Sequence, residues 1–253
     1  WARWQHVADR MDLVLDTYAR WGVKGVKIDF MEREDQEMVA FYQRVAEAAL
    51  AEGRLLRAAY CQHNAAICHD RLGHYDQAIA LYERARRALE TAGQVVNMAL
   101  CIDNLAGTYR RLGRHAEALD HYRAARETLT QHNLPLYVAR CETHLADLYL
   151  TLKQYEGALA CLTRTRAIYA EHGMMIYAAT CDREIARALI GAHHLDRWAE
   201  AIELLAQARA VLQQHGLIVD VALCDIATGE AYAQQRQFEQ AEQSFATALS
   251  VLD

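Results

Sequence analysis

Cys61, His63, Cys68 and His69 crowd one short stretch of the chain, and thiolates and imidazoles are ligands that zinc prefers. Their spacing tells against a metal. Cys61 and Cys68 share a helical face, but His69 falls at a position that recurs as Tyr109, Tyr149, Leu189 and Tyr232. Structural zinc sites favour paired, short spacings on turns. No metal and no cofactor are therefore expected. His193 and His194 stand in an insertion and read as a solvated loop, open to a partner or a metal. The chain has no glycine-rich phosphate loop, no Ser-His-Asp order and no HExxH helix.

The elements that carry these residues follow from a period. Cys61, Cys101, Cys141 and Cys181 recur at one constant interval, and Cys224 follows after a slightly longer one. A repeat of this length marks stacked supersecondary units. Aligned on the cysteine, five residues on stand Ala66, Ala106, Ala146, Ala186 and Gly229. A break at Leu72-Gly73, Leu112-Gly113 and Leu152-Lys153 is followed by an aromatic residue or histidine, then alanine at 78, 118, 158, 201 and 241. Four residues further come Tyr82, Tyr122, Leu162, Leu205 and Phe245, and a second break falls at Gly93, Asn133, Gly173 and Gly216. Small and large residues at spacings of three and four form one helical stripe. Glycine or asparagine after a helix supplies the left-handed residue that closes it. Each repeat is thus a helix, a tight turn and a second helix, and the stripes are buried only when repeats stack.

Bulk properties agree. Of 253 residues, 53% are hydrophobic and 24% charged, with one proline, which favours helix almost throughout. The net charge of −6, with positive residues well mixed, offers no basic surface for nucleic acid. No apolar run reaches the length of a membrane span. Repeat-related cysteines sit about 10 Å apart, one helix-packing distance, and a disulfide needs Cα atoms within about 7 Å. The seven cysteines therefore read as free, buried thiols in a reducing compartment, the cytoplasm.

The order of small residue, tyrosine, Leu-Gly turn, aromatic and spaced alanines resembles the tetratricopeptide repeat over residues 54–253. The period of about 40 exceeds the usual value of about 34 and lengthens the helices. The resemblance implies an all-α, right-handed α-solenoid of about five repeats, near 54–93, 94–133, 134–173, 174–216 and 217–253. It also implies that the first helix of each pair lines a groove. His63, Asn64, Asp103, Asn104, His144, Asp147, Arg183 and Arg187 are the groove residues expected to bind a peptide or helix, with Gly107, Thr143, Glu184 and Glu230 beside them. Some tetratricopeptide domains clamp a terminal carboxylate with Lys and Asn; Asn64 and Asn104 are similar to part of that set, and the lysines are lacking.

Residues 1–53 depart from the repeat and read helix, strand, helix. Val7, Met11, Val14, Leu15 and Tyr18 share a helical face, 22–30 forms a short apolar strand, and Met38, Phe41, Tyr42, Val45 and Ala49 line a second helix. The words GVKGVKIDF (22–30) and MEREDQEMVAFY (31–42) resemble the catalytic barrel of glycoside hydrolase family 97. The resemblance implies a nucleophile at Asp29, with Lys27 two residues before it. A glycosidase requires a second carboxyl group and a closed barrel, and neither has a counterpart after residue 53. Asp29 is accordingly expected to be a relic. An unpaired strand is unstable alone, so irregular structure is expected over 22–30 and a helix over 35–52 that packs on the first repeat.

The resulting expectation is a scaffold for a protein or peptide ligand, part of a larger bacterial signalling or regulatory protein. It binds neither nucleic acid nor membrane, and its last helix leaves an uncapped apolar stripe suited to self-association. The alternative is a truncated glycoside hydrolase family 97 fragment, inactive alone.

Overall fold

The computed structural model describes residues 36–193 and 197–252. Asp29, Lys27, the apolar stretch 22–30 expected to be irregular, and His194 lie outside the described residues. Within them the fold is all-α: α1 Gln36–Ala51, α2 Leu55–Arg71, α3 Tyr75–Thr91, α4 Val95–Arg111, α5 His115–Gln131, α6 Pro135–Thr151, α7 Tyr155–Glu171, α8 Met175–Gly191, α9 Trp198–Gln214, α10 Ile218–Gln234 and α11 Phe238–Leu252.

The period is explained by these lengths. Helices α2 to α10 are all of one length, just under five turns, and short turns of constant size join most of them. Each helix is about 26 Å long. After α2 the chain turns at Gly73, whose φ is 78°. The Gly73 N–H donates to the Asp70 carbonyl and the His74 N–H to the His69 carbonyl, at 3.1 and 2.8 Å, closing the helix. Lys153 takes the same left-handed conformation after α6, at φ 57°, without glycine's freedom. Pro135 opens α6 at its first turn, where a missing N–H costs nothing.

Contacts divide the chain into two compact units, one up to Asn104 and one from Leu105. In the first unit Met38, Val39 and Tyr42 of α1 pack on Ala65 and Cys68 of α2. The helix expected at 35–52 is therefore present and covers the first repeat as expected. Ala59, Ala85, Leu89 and Cys101 form a second cluster that joins α2, α3 and α4.

In the second unit the repeated alanines Ala106, Ala118, Ala146, Ala158, Ala186 and Ala201 are fully buried, and Tyr122, Leu162 and Leu205 fill the space opposite. Gly229 replaces alanine in this series because Phe245 occupies the space. A Cβ at Gly229 would lie 2.6 Å from the ring's Cε1. Gly191 is likewise bare against Tyr155.

In the second unit ion pairs fasten α6, α8 and α10 to the helix before each. Arg126 of α5 reaches Glu142 of α6 at 3.7 Å, Arg166 of α7 pairs with Asp182 of α8, and Arg209 of α9 with Asp225 of α10 at 2.7 Å. Each arginine precedes its acid by the same interval in the chain. Glu142 also receives Arg164 of α7 at 2.8 Å. All three acids are buried, so the pairs satisfy charge that would otherwise be costly.

Candidate functional site

The polar residues of the first helices fall into two clusters, one in each unit. In the first unit His63 on α2 is the centre. Its Nδ1 lies 2.7 Å from Cys101 Sγ and its Nε2 3.1 Å from Asn104 Nδ2, and its ring meets Tyr82 edge-on at 5.6 Å. In the tautomer whose Nε2 accepts from the Asn104 amide, Nδ1–H donates to the sulfur. A cysteine touching a histidine suggests thiol nucleophilic catalysis, but that chemistry needs a thiolate. Burial pushes the Cys101 thiol up to about 12, and its side chain is fully enclosed. The pair is structural. Asp103 is 1% exposed, so it lies within the packing rather than on an open face. Asn64 is half-buried.

The crowded Cys61, His63, Cys68 and His69 separate in space. His69 turns to Gln43 of α1, whose Nε2 lies 3.3 Å from its Nε2, and to His74, whose Nδ1 lies 3.4 Å from its Nδ1. Burial and then His74 hold the His69 imidazole below its ordinary range. Among the described residues no group of three or more metal-binding side chains converges. All seven cysteines are free thiols.

The second unit carries the richer cluster, on α6, α8 and α10. Glu184 is 5% exposed and accepts from two arginines: Arg183 Nε at 3.0 Å on Oε1, and Arg187 Nη1 at 2.6 Å on Oε2. Arg183 is itself buried and bridges to Asp220 of α10. Arg187 keeps about half its side chain in solvent, leaving guanidinium N–H groups free to meet a carboxylate. Asp147 lies within electrostatic range of Glu184, Arg110, His144 and Arg187. Burial first, and the Glu184 carboxylate second, raise the Asp147 carboxyl above the usual carboxylate range, while Arg110, His144 and Arg187 oppose the rise. His144 stands 6.1 Å from the Tyr122 ring.

His144, Asp147, Arg183 and Arg187 are thus brought into one polar cluster, in which Arg187 is the exposed cation and Arg183 the buried strut. Sequence reasoning missed Asp220 and Arg110. Asp220 stands four residues before Cys224, where the two preceding repeats place Tyr137 and Tyr177. That departure was its only signal. Tyr137 and Tyr177 are 39 and 53% exposed and flank the ends of α6 and α8.

Comparison with known proteins finds stretches of the chain similar to two families. Tetratricopeptide repeat family models match residues 61–93 and 98–171, and the glycoside hydrolase 97 model matches residues 1–63. The two kinds of match meet at residues 61–63, inside α2. A retaining alpha-galactosidase of Bacteroides thetaiotaomicron is 51% identical over 47 residues, 19% of this chain and 7% of that protein. The chain spans less than a tenth of the length of the curated relatives it matches. Among solved structures, BtubC (BKLC) from P. vanneervenii aligns with a TM-score of 0.74 at 20% identity, covering 85% of this chain and 90% of that one. Aspartyl phosphate phosphatase F from Bacillus subtilis aligns with a TM-score of 0.68 at 13% identity, covering 98% and 72%. The fold is that of tetratricopeptide-like helical repeats. No helix of the described residues is long and apolar enough to cross a membrane.

Proposed function

We propose that this chain, tetratricopeptide repeats behind a stretch of glycoside hydrolase 97 sequence, is a protein-interaction scaffold that binds a peptide or helix along its first helices. The observation that carries the reading is the second unit's cluster. Arg187 is an exposed guanidinium anchored by the buried Glu184, and Asp147 is a half-buried carboxyl beside it. The anchoring holds Arg187 in place before a ligand arrives, which lowers the entropy lost on binding. The chemistry suits a peptide that presents a carboxylate to Arg187 and a donor to Asp147. His63, Asn64, Asp103 and Asn104 support the first unit's packing and contribute less contact surface. Free thiols throughout fit a reducing, cytoplasmic setting in a larger bacterial regulatory protein.

The test is a random peptide display selection with the chain as bait. Selected peptides are expected to lose affinity by about tenfold when Arg187 is replaced by Glu, and to keep it when the exposed Arg123 of α5 is replaced by Glu. Equal affinity for both variants contradicts the reading.

The curated similarity favours a second, narrower reading: residues 1–53 are a stretch derived from a glycoside hydrolase that runs into a repeat array over 54–253. Hydrolysis at Asp29 needs a second carboxyl group across the bond, and the chain alone is proposed to be inactive. An aryl-glycoside assay against an Asp29→Asn control tests this; a rate lost in the control overturns it.

A further inference from the structure

We infer, on the scaffold reading, that the ligand of the second unit is an extended acidic peptide that seats an aromatic side chain against Tyr137 and Tyr177 and an aspartate or glutamate on Arg187. Arg57, Asn97, Tyr137, Tyr177 and Asp220 share one register, four residues before the repeat cysteine. In the first unit Asn97 is spent on packing, its Nδ2 donating to the Tyr60 hydroxyl at 3.0 Å. In the second unit the register changes to tyrosine on two first helices in succession, and both rings are exposed. Tyrosine exposed in this way is the residue that binding surfaces favour. Helices α6 and α8 have repeats before and after them, so the exposure does not come from a chain end.

The tyrosines stand over a prepared floor. Tyr169 of α7 occupies a column that otherwise reads Leu89, Leu129 and Leu212. It is buried, its hydroxyl is hydrogen-bonded to that of Thr143 on α6, and its ring lies 5.2 Å from the Tyr177 ring on α8. One ring thus ties α6 to α8 and holds Tyr177 from behind. The Arg140 guanidinium carbon lies 6.0 Å from the centre of the Tyr137 ring. Three tyrosines and an arginine form an aromatic seat bordered by positive charge. Such a seat suits another aromatic ring and disfavours a cationic side chain.

Spacings of seven and three put Tyr177, Glu184 and Arg187 on one face of α8, and Tyr137, His144 and Asp147 on one face of α6. Tyr177 and Arg187 are about 15 Å apart along the helix, a distance that an extended chain covers in about four or five residues. The acids of α8 and α10 on this side are already met, Glu184 by Arg183 and Arg187, and Asp220 by Arg183. Arg187, half in solvent, is the cation that meets an incoming carboxylate. A side-chain carboxylate fits it better than a chain terminus. Clamps for a terminus use lysine, and Lys153, the one lysine among the described residues, sits in the turn after α6.

The experiment is titration of display-selected peptides into the whole chain and its variants. Selected peptides are expected to carry an aromatic residue about four or five positions from an acid. Tyr137→Asn combined with Tyr177→Asn, which installs the residue type of Asn97, is expected to weaken binding at least about tenfold with an unchanged helical circular dichroism spectrum. Tyr137→Phe combined with Tyr177→Phe is expected to keep it. On the unaltered chain, replacing the peptide's aromatic residue by alanine is expected to cost as much as the asparagine pair, and amidating its C-terminus to cost nothing. Loss on Arg187→Glu without loss on the asparagine pair or the alanine peptide leaves the scaffold standing and overturns the aromatic seat, as does a phenylalanine pair as weak as the asparagine pair. No loss on any of them, or no selected peptide, overturns both readings. Release by C-terminal amidation overturns the acidic side chain as ligand, and a dimer of the chain that the asparagine pair dissolves overturns the peptide as occupant.

Discussion

Phe245 lies against the bare backbone of Gly229, so close that a single Cβ there would come 2.6 Å from the ring. The equivalent pairs in the repeats before it are Ala186 with Leu205 and Ala146 with Leu162, all fully or nearly fully buried. The last repeat has exchanged a methyl for a larger ring across one helix contact. Gly229→Ala is expected to destabilise the chain by about 1–3 kcal/mol through overpacking. Adding Phe245→Leu, which recreates the earlier pairing, is expected to recover most of that loss. Calorimetry on the two single variants and the double gives the coupling; additive losses contradict the contact.

Lys153 holds a left-handed conformation that the equivalent Gly73 and Gly113 adopt without strain. Lys153→Gly is expected to raise stability by about 1 kcal/mol, the cost of a Cβ in that region. Urea unfolding reads it, and a midpoint that moves down contradicts the strain.

Asp147 and His69 give opposite pH dependences. The Asp147 carboxyl is raised in the folded state, so its contribution is complete below its ordinary value near 3.8 and is lost as pH rises through the raised one. Asp147→Asn removes that loss and is expected to stabilise the chain near neutrality. The His69 imidazole is lowered, so its contribution is present above 6.5 and is lost as pH falls through the lowered value. His69→Tyr, the residue of the equivalent Tyr109, is expected to flatten the decline on the acid side. Melting curves across the range from pH 4 to 8 separate the two, and parallel curves for either variant and the parent contradict its assignment.

The packing was legible because it recurs. Ala66, Ala106, Ala146 and Ala186 fall in one column of the sequence and all are fully buried. The turn at Lys153 was legible too, since the register supplies what the residue type hides. The polar residues were less so. Arg183 and Arg187 occupy positions that a helical wheel treats alike, but Arg183 is buried because Asp220, one repeat further on, reaches it. Such burial depends on one particular residue of the next repeat, and no period announces it. The arginine–acid pairs, at their constant spacing, were present in the register from the start, but only the helix lengths make that spacing a contact.

Thiol chemistry offers a check on the whole interior. Burial pushes Cys101 and Cys181 up to about 12, and Cys61 and Cys224 up to about 11. At neutral pH the native chain is expected to react slowly with a thiol reagent, and all seven cysteines rapidly once denaturant is added. Rapid labelling of Cys101 in the native chain contradicts its enclosure.

The claim at the centre is that Arg187, anchored on the buried Glu184, is a contact point for a polypeptide ligand. Isothermal titration of a display-selected peptide into the chain tests it most directly. Arg187→Glu is predicted to weaken binding by about tenfold while Arg123→Glu leaves it unchanged. Undiminished binding to Arg187→Glu, with its fold intact, contradicts the account.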